Sequence, residues 1–183
     1  MAESPRRRRS SWADWAPFGA IALVLGIIML SSRALEGPPV AAGTPLPKID
    51  AEGWLNLPSG VDEFDPAGRV LVVDCWATWC GPCRQALPSL ARLAAKYRPL
   101  GVEFVGLTRE TGRDVEMIEG TIRNVDGFTW PVGYGVEGFF RTLNIQMIPT
   151  VIVFDSDGRA TYSRSGGGGE GALEAALDAA LAR

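Results

Sequence analysis

Two cysteines, Cys80 and Cys83, stand where a strand is expected to pass into a helix. The aliphatic residues 70–73 favour a buried strand. Beyond the cysteines, apolar side chains recur with helical spacing, at Leu87, Leu90, Leu93 and Tyr97. The first turn of a helix has unpaired backbone N–H groups and a partial positive charge, and both stabilise a thiolate. This placement predicts redox chemistry, with Cys80 exposed and acidic and Cys83 one turn deeper.

Other uses of paired cysteines need ligands that this sequence does not provide. A zinc site usually takes four Cys or His ligands, and the chain has no histidine and only one further cysteine, Cys75. The same count excludes a four-cysteine iron–sulfur cluster, and haem attachment needs a histidine where Arg84 stands. No metal site is therefore expected. A static Cys80–Cys83 bridge stays open as the alternative, although a position between strand and helix favours a redox pair.

Asp74 directly follows the apolar strand residues. A carboxyl group there is expected to be desolvated, which raises its pKa and suits it to exchange a proton with Cys83. The alternative is a solvated aspartate at the end of the strand. Because neighbouring strand residues alternate between faces, Cys75 is expected to point away from Asp74. An inert buried thiol is favoured there over a reactive third cysteine.

Further strands and helices are expected around this junction. The apolar pattern of residues 102–108 predicts a second buried strand, and two strands joined by a helix make a right-handed parallel crossover. An amphipathic helix is expected over residues 113–124. A β-hairpin over residues 48–57 and a loop over residues 58–69 are expected ahead of the first strand. The later expected elements are strands at 129–132, 151–154 and 160–163, and helices at 138–144 and 170–182.

The amino-terminal region has the pattern of an export and anchoring segment. Four arginines at residues 6–9 precede residues 15–32, which carry no charge and would span about 27 Å as a helix. Because positive charge stays on the cytoplasmic side, residues 1–14 are expected in the cytoplasm and residues 15–32 in the inner membrane. A signal peptide cleaved after Ala34 is the alternative, and a twin-arginine signal fits less well. Whether the segment is an uncleaved anchor or a cleaved signal peptide, the domain that follows it is expected to be exported.

The composition limits the remaining possibilities. The Pro- and Gly-rich residues 33–47 are expected to form a linker, and residues 48–183 a single domain. A net charge of −3 argues against nucleic-acid binding. Three cysteines are too few for a disulfide scaffold. The sequence therefore predicts a membrane-tethered α/β domain whose chemistry lies at its cysteine pair.

Residues 74–83, Asp-Cys-Trp-Ala-Thr-Trp-Cys-Gly-Pro-Cys, resemble the active-site segment of the thioredoxin superfamily. With the apolar run upstream, this segment is most similar to that of the membrane-tethered TlpA/ResA-type thiol–disulfide oxidoreductases. The resemblance covers residues 44–183. It implies a thioredoxin fold, an α/β fold with a mixed central sheet flanked by helices. An amino-terminal β-hairpin and a central helical insert are also implied, preceded by one transmembrane helix.

The same resemblance implies roles for individual residues. Cys80 would be the nucleophile that attacks a protein disulfide, and Cys83 would resolve the mixed disulfide. Asp74 occupies the position of an aspartate that exchanges a proton with the second cysteine in thioredoxin. Pro149 resembles the cis-proline that faces the cysteine pair, and it would leave the backbone at Ile148 free to pair with a bound peptide. The other expected substrate contacts are Trp79, Gly81 and Pro82.

The expected function is reduction of protein disulfides on the periplasmic side of the inner membrane. The cysteines enclose the Gly-Pro dipeptide of thioredoxin and no histidine, so a reducing potential is expected, nearer to about −270 mV than to about −120 mV. No cofactor is expected beyond the redox-active Cys80–Cys83 disulfide. The expected partners are proteins with disulfides, apocytochrome c among them, and a membrane electron donor. The alternatives are a tethered binding or scaffold domain without enzyme activity, and a disulfide oxidant or isomerase.

Overall fold

The computed structural model of the protein describes residues 38–66 and 68–182, together with four residues of the amino-terminal segment. The chain divides into two units, Met1–Gly37 and Pro38–Arg183. The second unit contains all the strands and helices that are described below.

The first unit has few described residues. They are helical and exposed: Phe18, Ile21, Leu23 and Val24. Within the described residues, no helix combines the length and the apolar character that crossing a membrane requires. Apart from the four residues named here, the predicted anchor at 15–32 and the predicted cytoplasmic segment at 1–14 lie outside the described residues.

The described residues of the second unit form one six-stranded sheet. Its strands are β1 (Gly53–Leu55), β2 (Leu71–Cys75), β3 (Glu103–Leu107), β4 (Val132–Tyr134), β5 (Thr150–Phe154) and β6 (Ala160–Ser165). The order across the sheet is β1-β4-β3-β2-β5-β6. The β2–β3 and β3–β4 pairs are parallel, and the other pairs are antiparallel. The predicted mixed sheet is confirmed.

Helices cover both faces of the sheet. They are α1 (Gly81–Tyr97), α2 (Val115–Arg123), α3 (Glu137–Thr142) and α4 (Glu170–Leu181). Helix α1 connects β2 to the parallel strand β3, as the predicted crossover requires. Helix α2 lies between β3 and β4 in the chain and buries Ile118 and Ile122. The predicted central helical insert is therefore confirmed.

Strand β2 is buried on both faces along its whole length. On one face, Val72 and Trp76 pack into the core that α1 and α4 cover. On the other face, Val73 and Cys75 pack into the core that α3 covers. A strand covered on both faces needs a continuous apolar sequence, and this is the pattern that precedes Asp74.

Helix α1 lies on the sheet along one apolar face. The buried residues of that face are Cys83, Leu87, Leu90, Ala91, Leu93, Ala94 and Tyr97. Near its carboxyl end, the Tyr97 hydroxyl donates a hydrogen bond to Asp178 of α4 at 2.7 Å. Lys96 forms an ion pair with Glu174 of α4 at 2.7 Å. These contacts hold α1 between the sheet and α4, with its first turn beyond the end of β2.

The predicted amino-terminal β-hairpin over residues 48–57 is wrong. That segment contains the single short strand β1, which pairs with β4 at the edge of the sheet. Asn56 ends the strand with a positive φ of 57°, so the chain turns away before a second strand can pair. A Cβ at position 53 would lie 2.1 Å from the Tyr134 hydroxyl oxygen, so any residue other than glycine would displace the Tyr134 side chain.

The predicted linker over residues 33–47 is wrong in its second half. The Val40 N–H donates to the Ser163 hydroxyl at 3.0 Å, and that hydroxyl donates to the Val40 carbonyl at 2.7 Å. The Leu46 N–H donates to the Gly158 carbonyl at 2.8 Å. Composition suggested a spacer, but β5 and β6 offer this segment backbone partners and an apolar site for Val40. The compact unit thus begins at Pro38 rather than at residue 48.

The packing of this segment can be tested at Ser163. In Ser163→Ala, the N–H and carbonyl of Val40 lose their shared buried partner. The free energy of unfolding should fall by about 2 kcal/mol, as measured by urea denaturation. The matched control is Ser156→Ala in the exposed turn after β5, which should change it by less than about 0.5 kcal/mol. Equal stability of the two variants would mean that the segment does not contribute to the domain.

Candidate active site

The two predicted redox cysteines form a disulfide at the amino terminus of α1, with their Sγ atoms 2.03 Å apart. Cys80 is the N-cap residue, and its Sγ accepts a hydrogen bond from the Cys83 N–H at 3.2 Å. Gly81 opens the helix, and Pro82 is accommodated in the first turn, where no intrahelical hydrogen bond needs its missing N–H. In the reduced protein, the same N–H groups and the helix dipole would stabilise a Cys80 thiolate.

Both cysteines are buried in the disulfide form. Cys80 is 5% exposed and Cys83 1% exposed, so the expectation that Cys80 is exposed is wrong for this oxidation state. The physical reason is the cap, which turns Cys80 Sγ toward the backbone of the helix rather than toward solvent. The exposed neighbour is Trp79, at 73%. Its expected role as a substrate contact stays a prediction.

Pro149 lies beside the disulfide-bearing helix turn, and the Ile148–Pro149 peptide bond is cis. A groove of about 370 Å³ has Pro149 and Pro82 in its walls. The glycine-rich loop before α4 forms another wall, and the Gly166 N–H donates to the Pro149 carbonyl at 2.8 Å. The fold therefore brings the predicted proline to the first turn of α1, beside Pro82. The peptide-binding roles of Ile148 and Pro149 stay predictions.

A second, smaller cavity of about 240 Å³ has Trp79 in its wall. Its lining is mostly apolar and includes Trp76, Phe140 and Ile148. Arg109 also lines it, with the guanidinium 4.7 Å from the centre of the Phe140 ring. This cavity and the exposed Trp79 indole in its wall give the site a surface that an apolar or aromatic side chain could contact.

Glu110 is a site residue that the sequence analysis missed. Its carboxylate accepts hydrogen bonds from the backbone N–H of Thr78 at 2.9 Å, from the Thr78 hydroxyl, and from the Thr108 hydroxyl at 3.0 Å. These bonds hold the turn that leads into Trp79 and Cys80. The only signal in the sequence was an acidic residue shortly after an apolar strand, and that signal does not reveal a partner 32 positions away.

Asp74 is 4% exposed, near the end of β2. Burial raises its pKa to about 7, because the charged form loses its hydration. Its Oδ2 atom has no hydrogen-bond partner among the described residues. The predicted burial and raised pKa are confirmed, and the solvated alternative is wrong. Its role as the proton partner of Cys83 stays a prediction.

Comparison with known proteins agrees with this geometry. Residues 41–181 match the Redoxin family. The chain belongs to the redoxin family. The thiol-disulfide oxidoreductase ResA of Bacillus thuringiensis is 27% identical over 96 residues, which are 52% of this chain and 54% of that protein. The thioredoxin-like protein YneN of Bacillus subtilis is 30% identical over 98 residues, 51% of this chain and 55% of that protein. This redoxin thus spans about half the length of the curated relatives that it matches.

Solved structures extend the similarity over the whole domain. A crystal structure described as that of a DsbE-type thiol:disulfide interchange protein from Chlorobium tepidum has a TM-score of 0.64 and 25% identity, and covers 78% of this redoxin and 99% of that chain. A thiol-disulfide isomerase from Corynebacterium glutamicum has a TM-score of 0.65 at 22% identity, covering 76% and 97%, and shows the fold alone. The recognition of a thioredoxin-superfamily protein of the TlpA/ResA type is confirmed.

Cys75 of this redoxin lies in the core on the opposite face of the sheet from Trp76. Its thiol is completely buried, and its pKa is raised well above the ordinary value, first by burial and then by the nearby Asp74. A thiol that resists ionisation is a poor nucleophile, which supports the prediction of an inert residue. Across residues 38–66 and 68–182, no group of three or more Cys, His, Asp or Glu side chains is placed to hold a metal ion.

The raised pKa of Asp74 predicts how the stability of this redoxin depends on pH. Between about pH 4 and pH 7 the unfolded chain has released the Asp74 proton, while the native state still holds it. The contribution of Asp74 to the free energy of unfolding is therefore fully present below about pH 4, and it is lost as the pH rises through 7. Asp74→Asn removes the ionisation. Between about pH 4 and pH 8, the free energy of unfolding of Asp74→Asn should decline less than that of the wild type. The two declines should differ by up to about 4 kcal/mol.

Urea denaturation at both pH values measures this difference. The control is Asp157→Asn in the exposed turn after β5, which should follow the wild-type pH dependence. A wild-type and an Asp74→Asn protein with the same pH dependence would show that Asp74 ionises in the native state as it does in the unfolded chain.

Proposed function

We propose that this redoxin is a thiol–disulfide oxidoreductase that reduces disulfides of exported proteins. The observation that carries the proposal is the Cys80–Cys83 disulfide at a helix amino terminus, with Cys80 as the cap. Cis-Pro149 beside the same helix turn and the exposed Trp79 support it, because they give a client peptide a place to lie against the cysteine pair. A purely structural bridge would not need this surface.

The residues of the site account for each bond, proton and electron that the reaction transfers. The reduced Cys80 thiolate attacks one sulfur of the client disulfide, forms a mixed disulfide, and releases the other client sulfur as a thiolate. The Cys83 thiol then gives its proton to Asp74 and attacks Cys80 Sγ. This step closes the Cys80–Cys83 disulfide and releases the second client sulfur. Two electrons pass from this redoxin to the client.

The net direction that we propose is reduction. The Gly-Pro dipeptide between the cysteines is that of thioredoxin, and no histidine stabilises the thiolate form there. In an oxidising compartment such a protein must be reduced again after each turnover, so the proposal includes a dithiol donor in the membrane. The haem-site cysteines of apocytochrome c are the client that the TlpA/ResA resemblance favours.

The location that we propose is the outer face of the inner membrane. The arginines at residues 6–9 and the uncharged residues 15–32 support a cytoplasmic amino terminus and a single membrane anchor.

The activity is tested with insulin as the disulfide substrate and dithiothreitol as the electron donor. The wild type should reduce insulin, and Cys80→Ser should not exceed the uncatalysed rate, because the thiolate at the helix amino terminus that makes the attack is lost. Cys75→Ala is the control for loss of a thiol, and it should keep most of the activity because Cys75 is buried away from the site. Full activity of Cys80→Ser, or no activity of the wild type, would contradict the proposal.

The client is identified with Cys83→Ser. This variant can form the mixed disulfide through Cys80 but cannot resolve it, so the client stays covalently attached. Mass spectrometry of adducts that dithiothreitol releases should identify exported proteins with cysteine pairs. Adducts composed only of cytoplasmic proteins would contradict the proposed compartment.

The orientation is tested with reporter fusions after Val40. Alkaline phosphatase, which needs disulfides to be active, should be active at this position because residues beyond 32 are exported. A β-galactosidase fusion at the same position should be inactive. The reverse pattern would place the domain in the cytoplasm.

A further inference from the structure

Two buried polar atoms in the core beneath α1 have no partner among the described residues. They are Oδ2 of Asp74, an acceptor, and Nε1 of Trp76, a donor. Buried polar groups are nearly always hydrogen-bonded, so one unpartnered atom near an active site requires an explanation. Here the two atoms have complementary character and belong to residues two positions apart on one strand.

The strand geometry puts both side chains on the same face. Side chains alternate along β2, and Val73 and Cys75 enter the core on the α3 side. Asp74 and Trp76 therefore both point to the α1 side, where Trp76 and Cys83 share one core cluster. The acceptor, the donor and the buried cysteine consequently lie in a single layer between the sheet and α1.

Gly106 brings the indole N–H of Trp76 near the strand position of Asp74. In the parallel β2–β3 pair, Gly106 is the residue directly opposite Asp74. A Cβ on Gly106 would lie 2.9 Å from Trp76 Nε1 and 3.4 Å from Val132 Cγ2, so an alanine there would displace the indole. The Trp76 N–H thus lies in the space that a side chain at position 106 would fill. Because Gly106 pairs with Asp74, this space is next to Asp74 on the neighbouring strand.

A second indole, that of Trp130, also borders this space, with its Nε1 3.5 Å from the same Cβ position, but of the two only Trp76 Nε1 is a buried donor without a partner among the described residues. Strand β3 presents Gly106 opposite Asp74, and β5 presents Val151. Helix α1 presents Cys83, which is locked in the disulfide. Burial is the sole cause of the raised pKa of Asp74, with no contribution from a charged neighbour.

Two charged residues that share a cavity lining with Trp76 have partners of their own. Arg109 and Glu110 line the small cavity that Trp76 also borders. The Arg109 guanidinium donates to the Ile145 carbonyl at 2.9 Å and pairs with Glu137 at 3.3 Å. Glu110 accepts hydrogen bonds from Thr78 and Thr108. These partners engage both charged groups away from Asp74.

We propose that the indole N–H of Trp76 donates a hydrogen bond to the Asp74 carboxylate once Asp74 has lost its proton. Trp76 is then a positioning residue for proton exchange between Asp74 and Cys83, an assignment that rests on the proposed function. A donor that stabilises only the charged form lowers the pKa of a buried acid toward the working pH. Asp74 can then accept the Cys83 proton during resolution at neutral pH.

The first test uses the full-length, oxidised protein, in which Cys80 and Cys83 cannot titrate. Carbon NMR follows the Asp74 carboxyl group, and proton–nitrogen NMR follows the Trp76 indole. The indole N–H signal should move downfield with the same midpoint as the Asp74 carboxyl signal, and it should not titrate in Asp74→Asn. An indole signal that stays constant while Asp74 titrates would overturn the proposal. So would a titration that persists in Asp74→Asn, since it would report another group such as Glu110.

The second test removes the donor. Trp76→Phe keeps an aromatic ring and loses the N–H, so the Asp74 midpoint should rise by about one pH unit, a tenfold change in the ionisation constant. The pH profile of mixed-disulfide resolution by Cys83 should shift upward by the same amount, and the initial attack by Cys80 should not. Trp54→Phe on β1 is the matched control, and it should leave both unchanged. An unshifted Asp74 midpoint in folded Trp76→Phe would overturn the proposal.

These readouts separate this proposal from the proposed function. If Trp76→Phe fails to fold, the wild-type NMR titration alone decides. If the two NMR signals titrate together but insulin is not reduced, the hydrogen bond stands and the oxidoreductase function fails. If insulin is reduced but the indole signal does not titrate with Asp74, the function stands and the assignment of Trp76 fails.

Discussion

The active site depends on the hydrogen bond that the Cys83 N–H donates to Cys80 Sγ, because this bond ties the cysteine pair to the first turn of α1. The cap requires α1 to begin at Gly81, after the short turn that follows the end of β2. That position is held from two sides: β2 is buried on both faces, and the apolar face of α1 lies on one of its two cores. The three bonds accepted by Glu110 hold the turn between strand and helix. Reactivity at Cys80 therefore depends on packing far beyond the two sulfurs.

Asp74 shows how a destabilising group can be retained for chemistry. A carboxyl group in the core beneath α1 is unfavourable once it ionises, and its pKa near 7 reflects that. The same pKa places its protonation equilibrium where a buried thiol must lose a proton during resolution. Cys75, one residue further on, has an equally buried position but faces the opposite core, and its raised pKa makes it inert. The alternation of one strand thus separates a proposed acid–base group from a packing residue.

Much of the domain could be predicted because its signals are local. The apolar run before Asp74 predicted β2, and helical spacing after Cys83 predicted α1 to within its last residues. The predictions of secondary structure and domain bounds that failed concern segments with weak local signals. Residues 48–57 contain β1 alone, and the strand expected at 129–132 lies at Val132–Tyr134. Residues 38–47 look like a spacer by composition, yet they pack on β5 and β6. In each case the deciding partner is far away in the chain.

The sequence by itself determined the chemistry available to this redoxin: a CxxC pair between strand and helix, no histidine, and an aspartate at the end of an apolar strand. These are properties of residue type, short spacing and period, which a linear pattern records. Only the tertiary structure decided which groups meet. It brought cis-Pro149 to the helix turn, Glu110 to Thr78, and Gly106 opposite Asp74. It also buried Cys80, because capping geometry overrides the exposure that a helix terminus suggests. Such contacts depend on strand order and register, and those are set by the packing of the whole sheet.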